Sequence, residues 1–137
     1  MNILFDTNII LDALLDRDSF GENAVFLLDA AERSVINGFL CADSVTTIYY
    51  LIEKVKTKAF ARQKIKLLLD IFEVAPINRA VLDEALGLDF TDYEDAVVYQ
   101  SAIGVNADGI VTRNTIDYKK SKIAIYSPSE LISVIGR

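Results

Sequence analysis

Asn2-Ile3-Leu4-Phe5-Asp6-Thr7-Asn8-Ile9-Ile10-Leu11 opens the chain and sets the reading of the rest. The run Asn2–Phe5 reads as a short strand closing at Asp6, and a helix follows from Asn8 through Leu15. Short β-like runs go on alternating with longer helical ones, the pattern of an α/β fold with a parallel sheet. Phe39-Leu40-Cys41-Ala42, Glu73-Val74-Ala75, Gly109-Ile110-Val111-Thr112 and Ile123-Ala124-Ile125-Tyr126 supply the second to fifth strands. Ser19-Phe20-Gly21-Glu22 has the form of a capping box and predicts a long helix with Val25, Leu28 and Ala31 at helical spacing. Asp43 or Ser44 caps a helix through Ile48, Leu51 and Ile52, and Lys58 to Phe72 forms a third long helix. Asn78 caps a short helix through Leu86, and Thr91-Asp92-Tyr93-Glu94 is a second capping box, opening a helix through Ala102. Ser127-Pro128-Ser129-Glu130 combines an N-cap, a proline at the first helical position and a glutamate at the third. With no linker or repeat, the chain reads as one domain over residues 1–137.

The 137 residues are enough to bury a core without disulfides or a structural metal, and an apolar content of 52% excludes disorder. Histidine is absent, which excludes Ser-His-Asp and Cys-His triads and His-ligated zinc. Cys41 is the only cysteine and lies in an apolar run, so it reads as a buried small hydrophobe. The N-terminus lacks a basic region and Asp6 interrupts its apolar stretch, unlike a signal peptide. No apolar run exceeds five residues, far short of a membrane span, so the expected setting is a reducing cytoplasm with no membrane contact. No glycine-rich phosphate loop follows a strand, which argues against a nucleotide cofactor.

The net charge of -6 conceals a sorting of charges. Lys54, Lys56, Lys58, Arg62, Lys64 and Lys66 form one basic run, and Arg113, Lys119, Lys120 and Lys122 a second. Asp83, Glu84, Asp89, Asp92, Glu94 and Asp95 form an acidic stretch without a base. Solvated helix faces would explain all three. A basic rim beside an acidic centre is the alternative, the rim holding a polyanion and a cation neutralising the centre.

Three groups of residues could carry chemistry. Asp6 ends the first strand, where parallel sheets form ligand sites, although Asp6-Thr7-Asn8 also suits a helix entry. Asp92 and Asp95 share a helix face, and Asp95 directly precedes the apolar Ala96-Val97-Val98, so its carboxylate needs a partner. Thr112, Asn114 and Asp117 follow the fourth strand, where a turn is the simpler explanation. Gathered in one crevice, these carboxylates would repel one another unless a hard cation joined them. Oxygen-only ligands suit Mg²⁺ or Mn²⁺, and the natural chemistry is metal-assisted phosphoryl transfer.

At these positions the chain resembles the PIN domains, small metal-dependent nucleases that include the VapC-like toxins of toxin–antitoxin pairs. The resemblance spans essentially the whole chain and rests on Ile3-Leu4-Phe5-Asp6-Thr7-Asn8, on Asp95-Ala96, and on Ile110-Val111-Thr112-Arg113-Asn114 with Asp117-Tyr118. It implies a three-layer α/β/α fold with a five-stranded parallel sheet and an acidic pocket at its carboxyl edge. It further implies that Asp6 and Asp95 are metal ligands, that Asn8 and Thr112 orient ligands and water, and that RNA is hydrolysed with Mg²⁺ or Mn²⁺. Two departures mark a divergent branch. Many members carry a glutamate in the helix after the second strand, but Tyr49 falls near that place here, with Glu53 one turn on. Asn114 stands where many have aspartate, and Asp117 is expected to substitute, with Asp92 supplying part of the missing charge.

The leading expectation is a metal-dependent endoribonuclease, with an antitoxin partner if it is the toxin of such a pair. A PIN-like module that binds RNA or protein without cutting is the alternative, favoured by the missing glutamate. Aspartyl-phosphate chemistry at Asp6 is disfavoured because Asn8 occupies the place of its second acid. The helix from Lys58 carries more apolar residues than one face needs, and a surplus would serve a homodimer contact or an antitoxin peptide.

Overall fold

The computed structural model describes residues 1–136. Its elements are β1 (Asn2–Phe5), α1 (Thr7–Leu14), α2 (Gly21–Glu32), β2 (Asn37–Cys41), α3 (Ala42–Val55), α4 (Lys58–Ile71), β3 (Glu73–Ala75), α5 (Arg79–Leu86), α6 (Tyr93–Gly104), β4 (Gly109–Val111), a 3₁₀ turn (Thr115–Tyr118), β5 (Ala124–Tyr126) and α7 (Pro128–Ile135). The strands form one five-stranded sheet in the order β3-β2-β1-β4-β5, every neighbouring pair parallel.

Ile3, Leu4 and Phe5 are fully buried, as a central parallel strand covered on both faces must be. Ile3 and Phe5 point into a core shared with α1, α2, α3, α4 and α7, while Leu4 faces the opposite core with Cys41, Val98, Tyr99 and Ile110. α6 covers that second face, and α5 packs on α6. The result is the expected three-layer α/β/α arrangement. Cys41 is buried as expected, and burial pushes its thiol pKa up.

Caps at Thr57, Asn78 and Ser127 accept from the backbone amides three residues on, and Ser127 with Glu130 completes a capping box. The other two boxes do not form. Ser19 has a positive φ of 70° and lies in the α1–α2 turn, where Phe20 and Gly21 amides both donate to the Arg17 carbonyl. α2 therefore starts at Gly21 without a side-chain cap. A Cβ on Gly21 would stand 2.9 Å from Asp16 Oδ1 and 3.3 Å from the Asp16 backbone, so a side chain there would push the Asp16 carboxylate aside. Its buried face is Ala24, Leu27, Ala30 and Ala31, whereas Val25 is 47% exposed. At α6 the cap is Asp92, whose Oδ1 accepts from the Asp95 amide, in place of Thr91. Neither Asp43 nor Ser44 caps α3, because the helix begins earlier, at Ala42.

Candidate metal and substrate pocket

The strand order dictates where a site can form. β1, β2 and β3 run outward to one side of the sheet, and β4 and β5 lie on the other. The chain therefore switches direction between β1 and β4, and loops leaving the carboxyl ends of those two strands splay apart into a crevice. Asp6 leaves β1 and Thr112 leaves β4, and the ladder continues past the strands through Asp6 N–H donating to the Val111 carbonyl at 3.0 Å. That bond brings Asp6 and Thr112 side by side, 106 residues apart in sequence.

Asp6 is held at both carboxylate oxygens. Its Oδ1 accepts from Thr7 N–H at 2.8 Å, which also caps α1, and its Oδ2 accepts from Thr112 Oγ1 at 2.8 Å and Tyr118 Oη at 3.4 Å. Thr112 is fully buried and in turn accepts from the Asn114 amide at 3.0 Å and from Asn8 Nδ2 at 3.5 Å. Asn8 Oδ1 accepts from the Arg113 amide at 3.3 Å, tying α1 to the loop after β4. Asp6, Asn8 and Thr112 thus form one hydrogen-bonded unit, with Asn114 anchored to it.

The unit opens into a cavity of about 230 Å³ that is also lined by Asp95 from the first turn of α6 and by Asp117 from the 3₁₀ turn. The structure therefore brings Asp6, Asp95 and Asp117 to one pocket, with Asn8 and Asn114 beside them. Burial raises the Asp6 carboxyl above its ordinary range despite its three donors, and the Asp117 charge adds to the effect. Asp95 is pushed up to about 6, first by partial burial and then by the charges of Asp92, Asp117, Asp6 and Glu94. Burial and the charges of Asp6, Asp95 and Asp117 raise the Tyr118 phenol, which stays protonated and able to donate to Asp6.

Asp92 does not reach this pocket. It caps α6 and lines an adjoining cavity of about 620 Å³ that shares Asp95 and Asp117 and carries Lys119 and Lys120. Tyr49 and Glu53 are also absent from the pocket lining, and Tyr49 faces a separate cavity with Arg62 and Lys66 of α4. α3 presents Asp43, Ser44 and Thr47 instead. The basic rim is consequently one-sided. Lys119 and Lys120 border the acidic centre, residues 54–66 do not, and Arg113 turns inward to the buried Asp12. Sequence reading missed Asp43, Glu94 and Arg17, all of which line the pocket. Asp43 and Glu94 fit local capping patterns that the fold does not use. Arg17 had no local signal at all.

Among the described residues, no group of three or more acidic or cysteine side chains is disposed to hold a metal ion on its own. The donor set nonetheless suits a hard cation. Mg²⁺ takes one or two carboxylates, several waters and substrate oxygens rather than an all-protein cage. Burial, with neighbouring charges second, disfavours the ionised forms of Asp6 and Asp95, and a divalent cation would stabilise those forms. Asp6, Asp95 and Asp117 are the residues from which one or two such carboxylates would come.

Comparison with known proteins agrees with this architecture. The PIN domain family model matches residues 2–116. Ribonuclease VapC1 of Aquifex aeolicus is 28% identical over 105 residues, covering 71% of this chain and 70% of that protein. A toxin–antitoxin complex from Klebsiella pneumoniae contains a chain of the same fold, with a TM-score of 0.72, 20% identity and coverage of 92% of this chain and 97% of that one. VapBC2 from Rickettsia felis, solved on a DNA fragment from its promoter, matches with a TM-score of 0.63 and 21% identity over 93% of this chain and 98% of that one. With a parallel sheet in the order 3-2-1-4-5 and an acidic pocket at its switch point, this chain belongs to the PIN domain family, with VapC-like proteins among those it resembles.

Proposed function

We propose that this protein is a Mg²⁺- or Mn²⁺-dependent endoribonuclease, the toxin of a toxin–antitoxin pair, that hydrolyses RNA phosphodiester bonds. The observation that carries the reading is the meeting of Asp6, Asp95 and Asp117 in one cavity at the switch point of the sheet. A divalent cation bound there would supply Lewis acidity toward a phosphoryl oxygen and a nucleophilic water at neutral pH. The chain's own contribution is orientation. Thr112, Tyr118 and the Thr7 amide fix the Asp6 carboxylate, and Asn8 and Asn114 hold the loop after β4 against it. Asp95 and Asp117 supply the remaining charge from two other elements. The VapC1 relative is a ribonuclease by name, and the Klebsiella neighbour is a toxin–antitoxin complex, which supports both RNA as substrate and an antitoxin as partner.

A second reading is favoured by α3. Neither Tyr49, near the place where the resemblance puts a glutamate, nor Glu53 reaches the pocket, and α3 brings Asp43, Ser44 and Thr47 there instead. In that case the protein binds RNA or a partner without cutting. Cleavage of RNA by purified protein, with Mg²⁺, Mn²⁺ or EDTA, separates the two. The nuclease reading expects EDTA-sensitive cleavage and a loss of at least about 100-fold in Asp6→Asn. No metal-dependent cleavage of any RNA would overturn it in favour of the second.

A further inference from the structure

Five carboxylates line the pocket, Asp6, Asp43, Glu94, Asp95 and Asp117, and a single cationic side chain joins them, Arg17. Arg17 sits in the turn between α1 and α2, flanked by Asp16 and Ser19 with positive φ of 47° and 70°. Non-glycine residues adopt such backbone at a cost, and the surrounding structure must hold them there. Three backbone bonds do so: Arg17 N–H to the Asp12 carbonyl, and Phe20 and Gly21 N–H to the Arg17 carbonyl.

The simplest account makes Arg17 a counter-ion for Asp12, whose side chain is 1% exposed. The distances argue against it. Arg113 already satisfies Asp12, with Nε 2.7 Å from Oδ2 and Nη2 3.4 Å from Oδ1, and its guanidinium stacks on Phe20 at 4.1 Å. Arg17 approaches no closer than 3.6 Å, outside hydrogen-bond range, and its side chain remains 41% exposed. Asp12 therefore steers the Arg17 guanidinium without using up its donors, whereas Arg113 gives its Nε and Nη2 to Asp12. A strained turn, a buried steering charge and a guanidinium facing an acidic cavity are an expensive combination for a merely solvated arginine.

We propose that Arg17 is a phosphate-binding residue of the pocket, its planar fork taking the non-bridging oxygens of a single-stranded RNA backbone phosphate and drawing a polyanion into a cavity that otherwise repels it. This rests on RNA being the ligand, as proposed above, but not on the RNA being cut. The selectivity is for the diester anion itself, since a guanidinium fork reads oxygen geometry and not base identity.

The test is binding of a fluorescein-labelled single-stranded RNA of mixed sequence, read by anisotropy in Ca²⁺ buffer over a range of salt, beside the cleavage assay. Arg17→Ala should bind roughly 10- to 100-fold more weakly, the loss of a charge-assisted hydrogen-bonded contact. Its plot of log affinity against log salt should flatten by about 0.7, the release expected for one single-strand phosphate contact. Arg17→Lys should keep the salt slope and recover part of the affinity. The urea midpoint of Arg17→Ala should stay at the parent value, because Arg113 continues to satisfy Asp12. Unchanged affinity and salt slope in Arg17→Ala would overturn the assignment, as would a parent protein that does not bind the RNA. A lowered urea midpoint with unchanged binding would make Arg17 a structural counter-ion instead. Absence of cleavage alongside Arg17-dependent binding would overturn the nuclease reading and leave this one standing.

Discussion

Asp6 shows how one side chain serves two purposes without conflict. One carboxylate oxygen caps α1 through the Thr7 amide, while the other is held by Thr112 and Tyr118 beside the pocket. Burial still raises its pKa, and Asp95 is pushed up to about 6 for related reasons. The folded chain therefore holds protons that the unfolded chain has released, so these groups make stability fall as pH rises from the ordinary aspartate value of 3.8 through about 6. A bound cation removes that penalty by pairing with the ionised forms. Thermal unfolding in EDTA should show this decline across that window, and Asp95→Asn should flatten it. Stabilisation by Mg²⁺ should grow over the same window, because protons and the cation compete for the same oxygens. Stabilisation by Mg²⁺ that is equal at pH 4.5 and pH 7 would mean that the cation binds elsewhere.

Among the elements, α6 departs most usefully from its sequence reading. The box Thr91–Glu94 is replaced by Asp92, which accepts from the Asp95 amide and moves the start of the helix. That shift frees Glu94 to line the pocket and leaves Asp92 in the adjoining cavity with Lys119 and Lys120. Asp92→Ala should accordingly cost about 1 kcal/mol in urea unfolding, the usual loss for a helix cap. It should also lower the Asp95 pKa by removing a neighbouring negative charge, and leave cleavage within a few-fold of the parent. A loss of activity restored by excess metal would instead make Asp92 a ligand. The helix also marks a limit of local reading. Thr91 and Asp92, adjacent in sequence, each make a credible N-cap, and only the path of the incoming chain selects between them. α2 makes the same point, since its buried face runs through Ala24 and Leu27 while Val25 faces water.

At the scale of the whole molecule, the site is held together by contacts spanning most of the chain. Arg113, leaving β4, reaches Asp12 of α1 across 101 residues, and Thr112 reaches Asp6 across 106. In the Asp12–Arg113 pair the carboxylate is buried and the guanidinium partly so, with side-chain exposures of 1% and 27%. Arg113→Ala would strand a buried carboxylate with only the more distant Arg17 nearby, and should cost about 3–5 kcal/mol in urea unfolding. A cost below 1 kcal/mol would mean that Asp12 finds another partner in the variant. Exposed apolar side chains on α3 and α4, among them Tyr50, Val55 and Leu69, lie away from the acidic pocket beside the basic run 54–66.

Sequence alone determined the alternation of five strands with helices, the caps at Asn78 and Ser127, and, by the absence of histidine, the exclusion of histidine triads and His-ligated zinc. These are local properties, set by neighbours a few residues apart and by composition. It also singled out Asp6, Asp95 and Asp117, because polar residues leaving apolar strands or opening a helix stand out against their surroundings. Tertiary structure decided which of the candidates meet. Strand order places the switch point between β1 and β4, and that in turn sets Asp6 beside Thr112, brings in Asp43, Glu94 and Arg17, and excludes Tyr49 and most of the basic residues. No local pattern encodes such choices, because they depend on which strands pair and on how each helix rotates to bury its apolar face once the sheet has formed.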